Sequence, residues 1–409
     1  MNILLINHYA GSLRHGMEYR PYYLAREWIR LGHRVRIVAS SRSHVRARNP
    51  DLQGRPRLDE IIDDIEYTWF DTPAYTGNGA GRALNMASFV ARLYREGAGL
   101  ARAFRPEVVI ASSTYPLDIW PAHRIARLAG ARLLFEVHDL WPLSPMELGG
   151  YSTRHPFIML LQAAENYACR HADAVVSILP KVREHLEAHG MAPDKLHLVP
   201  NGTDPAEWSR DPSPLPAPAS ATLAALRRRG DFLVGFAGSH GVANALDTLL
   251  GAAALMRGEP VAFVLAGVGP ERERLKQRAR EEGLDKVCFL DPVAKEHVPA
   301  LLECFDLAYI GLQRQPLFRF GVAPNKLIDY MMAARPVLYA IESGNDLVRE
   351  AGCGVSVTAE DAAAVAQGIR TMRAMDPGRR SAMGLQGRKF VLENLTYPVL
   401  GQRFLKACA

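Results

Sequence analysis

Long apolar runs are missing from the 409 residues, and Val261–Gly267 is typical of the longest ones. A helix that crosses a bilayer needs about 18 apolar residues or more, so no transmembrane helix is expected. No basic leader and no small-residue cleavage site precede the apolar opening Met1–Asn7, and a signal peptide is not expected either. Cysteine is sparse: Cys169, Cys288, Cys304, Cys353 and Cys408 are odd in number, far apart and free of any C-x-x-C pair. That excludes a disulfide framework and a cysteine zinc site, and suits reduced thiols in a cytoplasmic chain. A dinucleotide fingerprint is also absent. The turn Gly267-Val268-Gly269 has Arg272 where the third glycine belongs, and the loop after the first strand does not fit G-x-G-x-x-G.

What is present is an ordinary globular composition, 48% hydrophobic and 22% charged, at a length that suggests two or three domains. The net charge is 49 − 43 = +6, unevenly placed. Eleven arginines fall between Arg14 and Arg57, followed by the acidic stretch Asp59, Glu60, Asp63, Asp64 and Glu66. A solvated surface explains this as well as a patch for phosphates or anionic headgroups, such as an inner-membrane surface. Nucleic acid is not expected as a partner, because no binding motif accompanies the charge. The stretch Arg82–Arg105 sets Leu84, Phe89, Val90 and Leu93 against Arg82, Arg92 and Arg95 at helical spacing, fitting either a packed helix or a membrane-contacting one.

Short β-rich runs alternate with helical patterns, the signature of stacked βαβ units. NILLIN (2–7), RVRIVAS, EVVIAS, RLLFEV, AVVSIL and LHLVP predict strands in the first half, with a helix over Pro21–Leu31 that stops at Gly32. Residues 209–220, SRDPSPLPAPAS, read as a linker. FLVGFAG, VAFVLAG, KVCFL, DLAYIG, PVLYA and GVSV then predict a second set of strands. The fold class is α/β, with two Rossmann-like doubly wound halves that bind ligands at the carboxyl ends of their strands.

Four segments carry chemistry. The loop after strand one, with Gly11 and Gly16, allows close backbone approach to a ligand. His138-Asp139 follows the strand RLLFEV and suits proton handling, or simply caps a loop. Gly238-Ser239 to Asn244, and Gly267 after the next strand, suit a phosphate at a helix N-terminus. In Gly321-Val322-Ala323-Pro324-Asn325-Lys326-Leu327-Ile328-Asp329, Pro324 can open a helix that carries Asn325 and Lys326 on its first turn. Asp329 can accept hydrogen bonds from two sugar hydroxyls and Lys326 can neutralise a phosphate, unless the two are only a solvated helix pair.

That last segment resembles the donor-binding signature of glycosyltransferase family 4, retaining enzymes of the GT-B fold. GVGPERERLKQRAREEGLDKVCFLDPV resembles the family's Gly-x-Gly-Pro helix and base-contacting turn, and LHLVPNGTDPAEW its end-of-first-domain turn. HYAGSLRHGMEYRPYYLAREWIRLGH and PNKLIDYMMAARPV are similar to the subgroup that transfers amino-deoxy sugars such as N-acetylfucosamine in surface-polysaccharide synthesis. The resemblance implies two facing domains with an interdomain cleft: an acceptor-binding domain over 1–205, a donor-binding domain over 206–388, and a helix over 389–409 returning to the first.

It also implies roles. His138 and Lys326 would be catalytic. Gly11, Gly16, Gly238, Ser239, Asn244, Gly267, Val293, Asn325, Lys326 and Asp329 would hold the nucleotide-sugar donor, and Glu18, Tyr19, Arg20 and Asp139 the acceptor. The partners implied are a UDP-sugar or other nucleoside diphosphate sugar and a glycan or polyprenyl-diphosphate-linked acceptor. The place implied is the cytoplasm or the cytoplasmic face of the inner membrane. The chain departs from the family at three positions. Gly321 stands where the first of two glutamates is usual, and Ser239 and Asn244 stand where an arginine and a lysine usually meet the diphosphate. No Asp-x-Asp occurs, so no metal and no other cofactor is expected. A GT-B-shaped sugar-nucleotide epimerase and a non-catalytic nucleotide-sugar-binding protein are the alternatives.

Overall fold

Near-continuous apolar runs such as Val261–Ala266 form strands buried along their whole length, as parallel sheets covered on both faces require. The structure, a computed structural model, describes residues 1–16, 19–77, 79–208 and 212–409. Two units divide the chain: Met1–Asn201 together with Tyr397–Ala409, and Gly202–Thr396.

The first unit contains β1 (Asn2–Ile6), β2 (Arg34–Ser40), β3 (Arg57–Ile62), β4 (Ile65–Phe70), β5 (Val108–Ala111), β6 (Arg132–Val137), β7 (Ala174–Ser177) and β8 (Leu196–Leu198). Their order is β3-β4-β2-β1-β5-β6-β7-β8, parallel except for β3 against β4. The second unit contains β9 (Phe232–Ala237), β10 (Val261–Ala266), β11 (Val287–Leu290), β12 (Leu307–Gly311), β13 (Val337–Ala340) and β14 (Gly354–Ser356). Its order is β11-β10-β9-β12-β13-β14, all parallel. The direction of winding reverses between β1 and β5 and again between β9 and β12, which opens a crevice at those strand ends.

Sequence patterning missed the β3–β4 hairpin. Its two-residue turn is Asp63-Asp64, both left-handed with φ of 49° and 65°, a conformation that aspartate tolerates better than most residues. The acidic stretch therefore forms a sheet edge, and it meets the arginines there. Arg34 and Arg36 both pair with Glu66 across β2 and β4, and Arg57 pairs with Asp59. Arg26 and Arg30 pair with Glu27, Arg20 with Glu136, and buried Arg46 donates to the carbonyls of Ala10 and Ser40. Seven of the eleven early arginines thus serve the fold, and a dedicated anion patch is not what they build.

The helix Ala80–Phe104 resolves the second ambiguity. Phe89 and Leu93 lie in the interior with Leu100 and Phe104, so its apolar face is core and only Leu84 and Tyr94 stand out as large exposed apolar groups. No described helix is long and apolar enough to cross a membrane.

The boundaries differ from expectation in two places. The units part after Asn201, and the proline-rich segment joins the second unit: a helix over Ala217–Arg228 begins within it and inserts Leu223 and Leu226 into that unit's core. Pro218 fits there because the first helical turn has no N–H partner to lose. The C-terminal segment is two helices. Pro377–Asn394 stays with the second unit, and Tyr397–Cys408 belongs to the first. There Tyr397 stacks on Tyr23 at 4.7 Å and Phe404 meets Trp28 edge-on at 5.0 Å.

Candidate functional site

In the second unit the ends of β9 and β10 approach so closely that only glycine fits. A Cβ on Gly267, whose φ is +141°, would lie 2.0 Å from the Gly238 carbonyl oxygen. Gly267→Ala is expected to cost about 2–4 kcal/mol through backbone strain and overlap, read as a lower denaturation midpoint. Beside these turns opens a cavity of about 510 Å³ whose lining includes Gly238, Ser239, Gly267, Val293, Lys326 and Asp329. Six of the residues inferred from sequence therefore meet in one place.

The helix Asn325–Met332 aims two of them inward. Lys326 Nζ donates to Asn244 Oδ1 at 2.5 Å and sits 4.5 Å from the centre of the Phe236 ring. Burial without a countercharge lowers its pKa to about 8. Asp329, one turn on, is pushed up to about 7 by desolvation, with Lys295 opposing and Glu207 reinforcing the shift. No ion pair joins Lys326 to Asp329 among the described residues, so the solvated-pair reading fails. An uncompensated cation and a carboxyl with no hydrogen-bond partner among the described residues share a cavity that can hold a polar ligand.

Asn244 does not line the cavity. It bridges Lys326 to the Ser239 carbonyl, which it reaches at 2.9 Å, and so positions the lysine. Asn325 is exposed as the first helical residue and lies outside the lining, which corrects its expected role. Tyr330 was missed: its hydroxyl accepts from Ala237 N at 2.9 Å and ties the helix to the end of β9. Its place directly after Asp329 was the available signal.

The remaining expected residues belong to the first unit. Gly11 and Gly16 lie in the loop after β1, where Gly11 accepts from the Tyr67 hydroxyl at 2.8 Å. Neither lines the donor-type cavity. Glu18 lies outside the described residues. Tyr19 packs against the core at the start of its helix.

Arg20 is only 3% exposed; it donates to Glu136 and to the Val199 and Pro200 carbonyls, and is corrected to a structural residue. Asp139 is corrected likewise. One oxygen accepts from Leu140 N and Ser144 Oγ, the other from Trp141 Nε1, which locks the loop after β6.

His138 sits at the crevice end of β6 in a connected polar group. Its Nε2 is 3.0 Å from Ser112 Oγ and 3.3 Å from Glu136 Oε2. Ser112 Oγ donates to the same carboxylate at 2.6 Å, and Arg20 holds the other oxygen at 2.9 Å. Desolvation, the largest influence on Glu136, raises its pKa, but His138 and Arg20 together outweigh it and hold it down at about 2. Glu136 was missed as a positioning residue, although it stands two residues before His138 at the end of its strand.

Residues 15–202 match the family described as Glycosyl transferase 4-like domain, and residues 231–374 match Glycosyl transferases group 1. The chain is similar to the putative colanic acid biosynthesis glycosyl transferase WcaI of Escherichia coli K12, 24% identical over 257 residues, 60% of this chain. That match spans 61% of the length of WcaI. The probable glycosyltransferase WbjE of Pseudomonas aeruginosa is 24% identical over 312 residues, 74% of each chain. Among solved structures, Anabaena Alr3699/HepE in complex with UDP superposes with a TM-score of 0.70 at 16% identity, over 99% of both chains. Sucrose-phosphate synthase from Thermosynechococcus elongatus gives 0.71 at 17% identity, over 99% of this chain and 97% of that one. The shared architecture is the GT-B fold.

Proposed function

Because the chain belongs to the glycosyltransferases built from a 4-like domain and a group 1 domain, we propose that it moves a sugar from a nucleoside diphosphate donor to an acceptor hydroxyl, keeping the anomeric configuration. The observation that carries this reading is the presence, in one cavity, of the half-buried cation Lys326 and the carboxyl Asp329, which has no hydrogen-bond partner among the described residues. A diphosphate matches the first and a ribose diol the second.

As the glycosidic bond breaks, the anomeric carbon takes on oxocarbenium character and the leaving diphosphate gains negative charge. Lys326 stabilises that charge in place of the cations usual at Ser239 and Asn244. The reading therefore requires no metal. On the acceptor side His138, held by Glu136 and Ser112, handles the hydroxyl proton, and the diphosphate is a second possible base.

The relatives named for colanic acid synthesis and for glycosyl transfer support surface-polysaccharide assembly as the setting. The PNKLIDYMMAARPV segment supports an amino-deoxy sugar such as N-acetylfucosamine as the group moved. UDP is the first nucleotide to try, since HepE is known with UDP and with UDP-glucose. If the acceptor is polyprenyl-diphosphate-linked, contact with the inner membrane comes through its lipid chain, because seven of the eleven early arginines already serve the fold.

The test has two steps. Thermal unfolding is followed with UDP-, GDP-, ADP- and dTDP-sugars, and a ligand bound by the native state alone at 100 times its Kd stabilises by about 2.7 kcal/mol. The donor so found is then incubated with a lipid-linked acceptor without added divalent metal. The expected result is nucleoside diphosphate release that depends on the acceptor. Sugar isomerisation without acceptor would indicate an epimerase instead, binding without turnover a non-catalytic binder, and no stabilisation by any donor defeats the reading.

A further inference from the structure

A cluster of metal-type ligands lies in the first unit, in groups that the transfer chemistry does not use. Glu165 stands on the helix Pro156–His171, and His185 and His189 come from HLEAH on the next helix and its end. The i, i+4 spacing puts both imidazoles on one helical face, turned toward Glu165. One donor atom from each lies within 4.8 Å of the others. His185 Nε2 is 2.9 Å from Glu165 Oε1, and His189 Nε2 is 3.9 Å from Glu165 Oε2. A tetrahedral zinc ion with bonds of about 2.0–2.1 Å spaces its ligand atoms about 3.4 Å apart, between those two distances.

The surroundings fix the orientation of the ligands. His189 Nδ1 lies 2.9 Å from Asn166 Oδ1 and 3.1 Å from Gln162 Nε2, which hold the ring with Nε2 toward the carboxylate of Glu165. Gln162 Nε2 donates to Glu165 Oε2 at 2.9 Å and braces the carboxylate, as supporting groups around a metal site do. Glu165 is 3% exposed and His189 26%, so the cluster sits at the margin of the interior.

We propose that Glu165, His185 and His189 bind one zinc ion, which clamps the helix Pro156–His171 to the segment Arg183–His189. His185 exchanges its hydrogen bond to Glu165 for the metal, its Nε2 proton passing to Nδ1. Two imidazoles and a carboxylate form a donor set suited to zinc, and cobalt(II) is its spectroscopic stand-in.

The test is calorimetric titration of the metal-stripped full chain with ZnCl2. One site per chain is expected, together with a raised thermal midpoint. His189→Ala, a partly exposed position whose variant should fold, weakens binding at least about tenfold and removes the tetrahedral cobalt absorption. His123→Ala, at a histidine in contact with His171 elsewhere on the unit, leaves both unchanged. The proposal is overturned if His189→Ala binds zinc as the parent does, if His123→Ala is the variant that loses it, or if the parent takes up no zinc.

Discussion

Lys326→Ala is expected to weaken nucleoside diphosphate binding about 10–100-fold. A hydrogen bond to a charged group contributes about 1.5–3 kcal/mol, and each 1.4 kcal/mol is tenfold in affinity. Lys326 is the half-buried cation in the cavity lining, and burial without a countercharge lowers its pKa to about 8. The same values set the pH dependence. Above about pH 8 the free site loses the lysine proton, which a diphosphate must then restore, so affinity falls. Below about pH 7 Asp329 becomes a neutral acid and accepts the ribose hydroxyls less well, so affinity falls again. Affinity is therefore greatest between about 7 and 8. Titration calorimetry across this range should show Lys326→Ala without the alkaline limb and Asp329→Asn without the acid limb. A Lys326→Ala variant that binds as tightly as the parent at every pH would remove the lysine from the site.

The meeting of Lys326 and Asp329 in one cavity was legible in the sequence because one short helix carries both. Pro324 fixes the first turn, and the spacing of Lys326 and Asp329 then puts both on one face. The parallel strands were legible because burial on both faces leaves unbroken apolar runs such as VAFVLA. What stayed hidden depended on partners distant in sequence. Arg20 looked like a ligand group until Glu136, 116 residues later, took it into the core. Asn244 was given to a phosphate because it occupies a cation's place, while its amide in fact links Lys326 to Ser239. The hairpin escaped because alternating charges on an edge strand, one face open to water, look like a solvated loop. Its turn also lacks the Asn-Gly or Asp-Gly pair that usually marks such turns. Charge is the weakest guide of all, since arginine and acid blocks separate in sequence become cross-strand pairs once β2 lies beside β4.

His138→Ala should lower kcat about 100-fold or more, the usual contribution of a positioned acid–base group, and leave donor affinity unchanged because the donor cavity is built from the other unit. Glu136→Gln separates catalysis from structure at the same spot. It leaves Arg20 as a buried cation without its partner, and a loss of about 3–5 kcal/mol is expected at neutral pH. The sign with pH follows from Glu136's folded pKa of about 2, depressed from 4.5: its stabilising share is fully present above 4.5 and is lost as pH falls toward 2. The stability gap between parent and variant should therefore close over that interval in acid denaturation curves. Removing the negative charge beside His138 also makes its imidazolium easier to deprotonate. The acid limb of kcat should then move to lower pH in Glu136→Gln. If stability drops while the kcat profile keeps its place, Glu136 serves only to hold Arg20. A shifted limb makes it the group that sets the proton affinity of the histidine at the acceptor side.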